Sequence, residues 1–347
     1  MTWSQAADAA QDVLVRSFWN RSHRLYRSTP GRWPVLLWLR WDYWIQAQAL
    51  DATVDAVART GSVEARERVA EHVAGILHRN GNRIPNRYYD DMAWMALALL
   101  RADEVAGVDT RSLVTVLWAD IRAAWDDQHG GLVWRRADPL PYTNAPANAP
   151  AAILAARLHR RHGDQSDLDW ARRISDWLHA TLVDPDSGEV WDGIHPVTDP
   201  GPDRTAYTYN QGTVVGAEIE LWRLTGDRLH LDRARRTAGR ALDRFADPFG
   251  GVFPSEGTGD RSVFKGILAR YLGDLVQADP EPHGPAASRV RAALVANGTA
   301  VAAAADRPIG VDWRRPGHGE LSLGSQVSAL LLLEALAALE HPEGSGV

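Results

Sequence analysis

Residues 92–100 read MAWMALALL, and this segment has apolar side chains on every face of a helix. Two later segments, 149–156 (APAAILAA) and 327–339 (VSALLLLEALAAL), have the same character. A helix that is apolar all round is stable in water only when other elements cover most of its surface. These three segments therefore predict helices in the interior of the fold.

Other segments combine a single apolar stripe with a charged face. Residues 63–79 (VEARERVAEHVAGILHR) and 228–245 (RLHLDRARRTAGRALDRF) show this pattern, which is typical of helices at a protein surface. The two kinds of segment occur in pairs, and Gly, Pro and Asp residues separate them. The apolar periodicity predicts about twelve helices, with approximate spans 4–19, 36–59, 62–79, 88–105, 110–126, 147–162, 167–181, 209–225, 228–246, 261–278, 285–304 and 322–340.

The links between helical pairs resemble one another. Residues 127–134 (DQHGGLVW), 184–191 (DPDSGEVW) and 247–253 (DPFGGVF) each contain a turn followed by a short extended run. They recur about every 60 residues, which indicates a repeated two-helix unit. Six such units closed on themselves form an all-α fold, the (α/α)6 barrel, and we predict a single domain over residues 1–347. The alternative, an open solenoid, requires terminal helices with polar outer faces, which the first and last helices lack.

Composition excludes several classes of function. The formal net charge of -6 and the pI near 6.1 argue against nucleic-acid binding, because neutralising phosphates requires a basic surface. The sequence contains no cysteine, so a disulfide or a thiolate metal site is impossible. No predicted helix carries His and carboxylate groups at metal-ligand spacing, and we expect no metal site.

The sequence also bears on cellular location. Residues 1–20 carry Asp8, Asp12 and Arg16 in their only apolar stretch, so they lack the uninterrupted core of a signal peptide. Glu334 interrupts residues 327–339, which are also too few to span a bilayer. We therefore expect a soluble, cytoplasmic and monomeric protein without membrane insertion.

Two residue types have unusual frequencies. The 15 Trp residues either fill the core or offer aromatic faces to sugar rings. Of the 38 Lys and Arg residues, only Lys265 is a lysine. Because Arg is used everywhere else, we expect the compact charge of Lys265 either to contact a substrate or to hold a carboxylate.

Polar and aromatic residues collect where the predicted inner helices begin. If these helices are parallel, their N-terminal ends open at the same end of the barrel. The residues at those ends are Trp41, Asp42, Tyr43 and Trp44; Tyr88, Tyr89, Asp90 and Asp91; Asn144 and Asn148; Tyr207, Tyr209, Asn210 and Gln211; Phe264 and Lys265; Ser325 and Gln326. This mixture of rings and polar groups is typical of a carbohydrate pocket. Helix N-capping is the alternative explanation, and it suits Ser325 and Asn144.

Asp90 and Asp91 are the candidate catalytic residues. Capping needs only one carboxylate, two neighbouring carboxylates repel each other, and charges on an apolar inner helix are costly unless they have a function. Adjacent helical residues project about 100° apart, so the two groups can flank one bond at roughly the 5–5.5 Å typical of retaining glycosidases. Asp192, in residues 190–194 (VWDGI), is either a further acid of the site or a turn residue.

Residues 87–94 (RYYDDMAW), 209–212 (YNQG) and 264–266 (FKG) together resemble the family 76 glycoside hydrolases, which are endo-α-1,6-mannanases. Residues 144–156, 192–194 and 217–227 are also similar to that family. The resemblance implies an (α/α)6 barrel, an α-mannan or manno-oligosaccharide substrate, retention of configuration and no cofactor. It also implies that Asp90 is the nucleophile and Asp91 the acid/base.

The same resemblance implies a set of substrate-binding residues. The positions that match the family's groove are Asn144, Asn148, Asp192, Tyr209, Asn210, Gln211 and Lys265. Trp44 and Tyr89, which lie at the same barrel end as the acids, complete the predicted substrate contacts.

Two other functions are compatible with a helical barrel. Sugar epimerases and unsaturated-uronide hydrolases use His or a lone Asp, and the histidines of the predicted helices do not lie at inner helix starts. A carbohydrate-binding scaffold without catalysis needs no acid pair. Endo or exo action, the chain length of the substrate and its natural source stay open.

Overall fold

The computed structural model describes residues 1–31, 41–137 and 139–340. These parts of the chain contain twelve α-helices, which confirms the all-α prediction. The helices are α1 (Trp3–Phe18), α2 (Tyr43–Thr60), α3 (Val63–Arg79), α4 (Tyr89–Ala106), α5 (Arg111–Arg122), α6 (Ala145–His162), α7 (Gln165–Thr181), α8 (Thr208–Thr225), α9 (Arg228–Phe245), α10 (Phe264–Ala278), α11 (Pro285–Ala302) and α12 (Leu323–Glu340).

The even-numbered helices form a closed inner ring. Each packs against the next, from α2 through α12, and α12 packs back against α2. The odd-numbered helices lie outside: α1 packs on α12, α3 on α2, α5 on α4, α7 on α6, α9 on α8, and α11 on α10 and α12. The closed ring is the predicted (α/α)6 barrel, and it excludes the open solenoid.

Hydrogen bonds between the first and last helices reinforce the closure of the ring. The backbone N–H groups of Trp3 and Ser4 donate to the Glu340 carboxylate at 2.9 and 3.1 Å. Glu340 thus accepts bonds from N–H groups that the first turn of α1 leaves without helical partners. Further along α1, the Gln11 side chain donates to Glu334 of α12 at 2.9 Å.

Two predicted helix starts were wrong. The second helix, predicted over 36–59, begins at Tyr43 because Asp42 has an extended backbone conformation, and residues 36–40 lie outside the described residues. The tenth helix was predicted from residue 261 but begins at Phe264, after the separate 3₁₀ turn Gly259–Ser262.

Short strands form parts of the links between the helices. The strands are β1 (Trp19–Asn20), β2 (Leu25–Tyr26), β3 (Thr143–Asn144), β4 (Gly193–His195) and β5 (Asp199–Asp203). β1 pairs with β2, and β3, β4 and β5 form an antiparallel sheet in that order. Because β3 leads directly into α6, this sheet lies at the end of the barrel where the inner helices begin. None of these five strands lies in the links 127–134, 184–191 or 247–253, where extended runs were predicted. The first two links form only isolated bridges, at Leu132, Val133 and Val190.

Buried amide side chains fix several links to the inner helices. The amide of Gln46 bonds to both the N–H and the carbonyl of Tyr26, at 3.1 and 2.8 Å. Asn148 does the same with Leu132, at 2.8 and 2.9 Å. Each amide is on the fourth residue of its helix, so it satisfies backbone groups that would otherwise be buried without partners.

Glycines allow the inner helices to approach closely on one side of the ring. A Cβ atom on Gly212 of α8 would lie 2.7 Å from the Leu268 Cα atom of α10. One on Gly266 of α10 would lie 2.5 Å from the Ser328 Cα atom of α12. These are the glycines of the YNQG and FKG motifs, so in both motifs the glycine is needed for helix packing.

Among the described residues, one helix is long and apolar enough to pass a composition test for a membrane span. It is Leu323–Glu340, and 78% of that span is buried inside the barrel. Burial as an inner helix accounts for this composition.

Candidate active site

The N-terminal ends of the inner helices lie at one end of the barrel together with the links that precede them. Asp90 and Asp91 lie in the first turn of α4, and Asp90 is close enough to Asp192 and Tyr209 for electrostatic interaction. Unpaired N–H groups at a helix start also favour negative charge there. The predicted acid pair therefore lies among other polar residues from separate parts of the chain.

Asp90 is held by a tryptophan. The Trp134 indole N–H donates to Asp90 Oδ2 at 3.0 Å, whereas the buried Oδ1 atom accepts no hydrogen bond from the described residues. Burial raises the pKa of Asp90 to about 6, and the nearby Asp192 carboxylate adds to the rise. Trp134 and the N–H groups at the start of α4 oppose it. One oxygen of Asp90 thus has a side-chain donor, and the other has no hydrogen-bond partner among the described residues.

Asp91 has a different environment. The Asn86 amide donates to Asp91 Oδ2 at 2.7 Å. Burial raises the pKa of Asp91 well above its usual range, and the carboxylates of Asp90, Asp260 and Asp42 raise it further. Because three carboxylates face it, Asp91 is the member of the pair that more readily keeps a proton.

Asp192 lies just before β4 and is held by two donors. The Tyr142 hydroxyl donates to its Oδ2 at 2.7 Å, and the Asn210 amide donates to its Oδ1 at 3.0 Å. The Asn210 Oδ1 atom is buried without a hydrogen-bond partner among the described residues. The predicted residues Asp192 and Asn210 are therefore in contact.

An aromatic wall, formed by Trp44, Phe264, Tyr209 and Tyr207, lies beside the acids. Tyr209 stacks on Phe264 with ring centroids 3.9 Å apart, and Trp44 and Tyr207 lie at 6.1 and 5.6 Å from the same ring. The Trp44 indole N–H donates to Asp260 Oδ1 at 3.0 Å. Such a continuous apolar surface is suited to the apolar face of a sugar.

Tyr89 and Asn144 have partners within the protein. The Tyr89 N–H donates to the Trp134 carbonyl at 2.9 Å, and the Arg136 guanidinium lies over the Tyr89 ring. Asn144 is the N-cap of α6, where its side chain accepts from the Ala147 N–H at 3.2 Å. The capping explanation therefore applies to Asn144, and its substrate contact stays a prediction.

Asn148 and Gln211 connect inner helices to the links between helical pairs. Both are buried, and both amides bond to a link, Gln211 to the N–H and carbonyl of Val190 at 2.8 and 2.7 Å. The second amide hydrogen of each donates to a carbonyl one turn earlier, Asn144 or Tyr207. This geometry gives the two residues a structural role, and their substrate contact stays a prediction.

Replacing Gln211 by Leu is expected to lower the free energy of unfolding by about 2–4 kcal/mol, because the buried N–H and carbonyl of Val190 lose their partner. The KM of folded enzyme should change little. Denaturant unfolding and KM measurements check this, with Asn210→Ala as the neighbouring comparison, which should affect KM more than stability. A large rise in KM for Gln211→Leu at unchanged stability would instead support direct substrate contact.

Lys265 donates a hydrogen bond to a backbone carbonyl. Its Nζ donates to the Val311 carbonyl at 2.7 Å and lies 4.3 Å from the centroid of the Trp313 ring. Burial lowers its pKa to about 7, although the charges of Asp312 and Glu256 oppose the shift. The observed partner is the segment before α12, and substrate contact by Lys265 stays a prediction.

Replacing Lys265 by Arg is expected to destabilise the protein, because a larger guanidinium must enter a site that leaves Lys265 3% exposed. Lys265→Met removes the titratable amine and so isolates the effect of its charge on stability. Between pH 7 and 10.5 the unfolded state binds a proton that the folded state lacks, so the stability of the unaltered protein relative to Lys265→Met should rise with pH. Unfolding at several pH values checks this. A stability difference between the unaltered protein and Lys265→Met that does not change with pH would contradict the expected pH dependence. Full stability of Lys265→Arg would contradict the expected steric effect.

Four residues around the acids were missed from the sequence: Asn86, Trp134, Tyr142 and Asp260. Trp134 ends the link 127–134, and the similar link 184–191 ends at Trp191, directly before Asp192. The repetition of the links was therefore a signal that these segments lead to the site. No comparable pattern marks Asn86 or Tyr142.

A family model described as Glycosyl hydrolase family 76 matches residues 2–345. The chain belongs to glycosyl hydrolase family 76. The family resemblance of the RYYDDMAW, YNQG and FKG motifs is confirmed, and with it the assignment as a glycoside hydrolase.

Relatives and solved structures are consistent with this membership. Mannan endo-1,6-alpha-mannosidase DCW1 of Eremothecium gossypii is 28% identical over 277 residues, 74% of this family 76 chain and 57% of that protein. The chain thus spans a little over half the length of that curated relative. The GH76A alpha-1,6-mannanase of Salegentibacter sp. HEL1_6 is 32% identical, with a TM-score of 0.89 and coverage of 97% of this chain and 99% of that chain.

A second structure of the Salegentibacter enzyme is an inactive variant in complex with alpha-1,6-mannotriose. Two consecutive aspartates of that enzyme are replaced by asparagine. The variant is 31% identical to this chain with a TM-score of 0.89, and the match covers 97% of this chain and 99% of that one.

Proposed function

We propose that this family 76 member hydrolyses α-1,6-linked mannan or manno-oligosaccharides by a retaining double displacement, with Asp90 as nucleophile and Asp91 as general acid/base. The observation that carries the proposal is the adjacent, differently bonded acid pair at the start of α4. The inactive Salegentibacter variant supports it, because that similar enzyme requires two consecutive aspartates and binds alpha-1,6-mannotriose.

The sequence contains two consecutive aspartate pairs, and only one suits this chemistry. Asp126 and Asp127 follow α5, where Asp126 accepts the Gln128 N–H within a turn and the Asp127 side chain is 91% exposed. Asp90 and Asp91 instead have raised pKa values and lie beside the aromatic wall. Perturbed carboxyl groups in such a setting are typical of catalysis.

The proposed reaction has two steps. A carboxylate oxygen of Asp90 attacks C1 of the mannosyl unit from the face opposite the α-linkage, and the C1–O6 bond breaks as Asp91 gives its proton to O6. A water molecule then attacks C1 of the β-linked mannosyl ester, its proton passes to Asp91, and Asp90 is released as carboxylate. The two inversions restore the α configuration.

The different surroundings of the two acids favour this division of roles. A nucleophile must be ionised, and Asp90 has the Trp134 donor, N–H groups of α4 and an oxygen without a hydrogen-bond partner in the described part of the chain. An acid must be protonated, and three carboxylates act on Asp91. Pairs of acids whose surroundings separate their pKa values in this way divide acid and nucleophile roles.

Hydrolysis of α-1,6-mannotetraose, followed by proton NMR, tests the proposal. We expect shorter manno-oligosaccharides whose newly formed reducing end is α at the earliest time points, before mutarotation. Product sizes also distinguish internal from terminal cleavage.

A matched control uses the second aspartate pair. Asp126→Asn/Asp127→Asn removes the same charges outside the site and should leave most of the activity, whereas Asp90→Asn/Asp91→Asn should leave none. A first product in the β configuration would contradict the retaining mechanism, and cleavage of other mannosidic linkages in preference would contradict the substrate.

A further inference from the structure

The loop before α4 contains a side chain that contacts the acid/base directly. Asn86 lies five residues before Asp91, and its Nδ2 donates to Asp91 Oδ2 at 2.7 Å. Its Oδ1 accepts the N–H of Tyr88. Because only Oδ1 can accept the Tyr88 N–H, the amide orientation is fixed and an N–H group must face Asp91.

Asn86 is itself held by the rest of the barrel. Its backbone carbonyl accepts from Arg136 Nε at 3.2 Å, and Arg136 forms an ion pair with Asp120 of α5. The Arg136 guanidinium also lies over the Tyr89 ring, at 5.3 Å from its centroid. The backbone that carries the Asn86 side chain is therefore connected through Arg136 to α5.

A donor at Oδ2 determines where Asp91 carries its proton. A carboxylic acid has one oxygen that accepts and one that bears the hydrogen. With Oδ2 occupied as the acceptor of Asn86, the acid proton must be on Oδ1. We propose that Asn86 is a positioning residue that presents the Asp91 proton from Oδ1 to the leaving-group oxygen, an inference that depends on the acid/base role of Asp91 in the proposed function.

Other groups near Asp91 cannot replace Asn86. The titratable groups that face it are Asp90 on its own helix, Asp260 in the turn before α10, and Asp42 and Tyr43 at the start of α2. The Tyr43 hydroxyl donates to the Ile84 carbonyl at 2.6 Å. The three carboxylates repel the ionised form of Asp91, whereas Asn86 stabilises it.

Asn86→Ala tests the role through two different leaving groups. On α-1,6-mannotetraose, whose leaving group needs a proton, kcat/KM should fall about 10- to 100-fold, a part of the effect of general acid catalysis. On a dinitrophenyl α-mannoside, which needs no proton, the loss should be less than about threefold. The alkaline limb of the kcat/KM profile should move to higher pH, because loss of the donor removes stabilisation of the ionised form.

Asn80→Ala is the matched control in the same loop. The Asn80 amide donates to the carbonyls of Arg83, Ile84 and Pro85 and does not touch Asp91. This variant should lower both activities in proportion to the folded fraction and leave the pH profile in place. The proposal would be overturned if Asn86→Ala lost activity equally on the two substrates or left the alkaline limb of the kcat/KM profile unmoved. It would also be overturned if Asn80→Ala showed the same pattern as Asn86→Ala.

Asp91→Asn separates this inference from the proposed function. If Asp91→Asn spares the dinitrophenyl substrate and Asn86→Ala does not, the acid/base assignment stands and the role of Asn86 is wrong. If Asp91→Asn loses both activities equally, the acid/base assignment itself fails.

Discussion

Replacing Asp90 by Asn is expected to lower kcat on α-1,6-manno-oligosaccharides by a factor on the order of 10⁴ or more, because no covalent intermediate can form. The loss should be equal for substrates with good and poor leaving groups, since every substrate needs the nucleophile. Steady-state kinetics on mannotetraose and on a dinitrophenyl α-mannoside measure it. The free energy of unfolding of Asp90→Asn should equal or exceed that of the unaltered protein, because a buried carboxylate is removed.

Asp91→Asn should behave differently although the two residues are neighbours. Mannotetraose cleavage should fall strongly, whereas the dinitrophenyl substrate should still form the mannosyl ester on Asp90. Added azide should raise the rate of this variant by replacing the base-activated water, and two inversions should give an α-linked mannosyl azide. A β-linked azide would indicate a single displacement and would contradict the assignment of Asp90 as nucleophile.

Gly266→Ala is expected to be the most destabilising substitution on the inner ring. The added methyl would lie 2.5 Å from both the Cα and the carbonyl oxygen of Ser328, and the backbone of α12 cannot move without disturbing its other neighbours. The Gly266 N–H also donates to Ser328 Oγ at 3.0 Å, a bond that separation of the helices would break. We expect the free energy of unfolding to fall by about 3–5 kcal/mol.

Gly239→Ala is the matched control for this effect. Gly239 lies within α9, and a Cβ atom there would meet no atom within 4 Å. Because alanine is the better helix former, Gly239→Ala should stabilise the protein by about 0.5–1 kcal/mol. Denaturant unfolding of both variants checks the contrast. A small loss for Gly266→Ala would mean that α10 and α12 can separate at little cost.

The fold could be predicted because the inner helices lack a polar face. Segments such as 92–100 are stable only when covered, so their alternation with amphipathic segments determined which helices lie inside. The start of the second helix could not be predicted from the same signal, because residues 36–41 are also rich in apolar side chains. There the extended conformation of Asp42, which composition does not reveal, decides where the helix begins.

The candidate site could be predicted only in part. The acid pair was identifiable because two charges on an apolar helix are costly, but neighbouring polar residues on a helix point about 100° apart. Asn210 therefore reaches Asp192, whereas Gln211 points back to Val190. The direction of each side chain depends on where the links pass, and the sequence does not contain that information. For the same reason the donors Asn86 and Trp134 were missed.

The bonds from Trp3 and Ser4 to Glu340 have a consequence for the order of synthesis. The first helix leaves the ribosome long before Glu340, which accepts its N–H groups, has been synthesised. The helix α2 is likewise synthesised long before α12, against which it packs. These contacts span nearly the whole described chain, so they raise the contact order and slow the last stage of folding. Until α12 is made, the face of α2 that packs against α12 in the finished ring has no partner there.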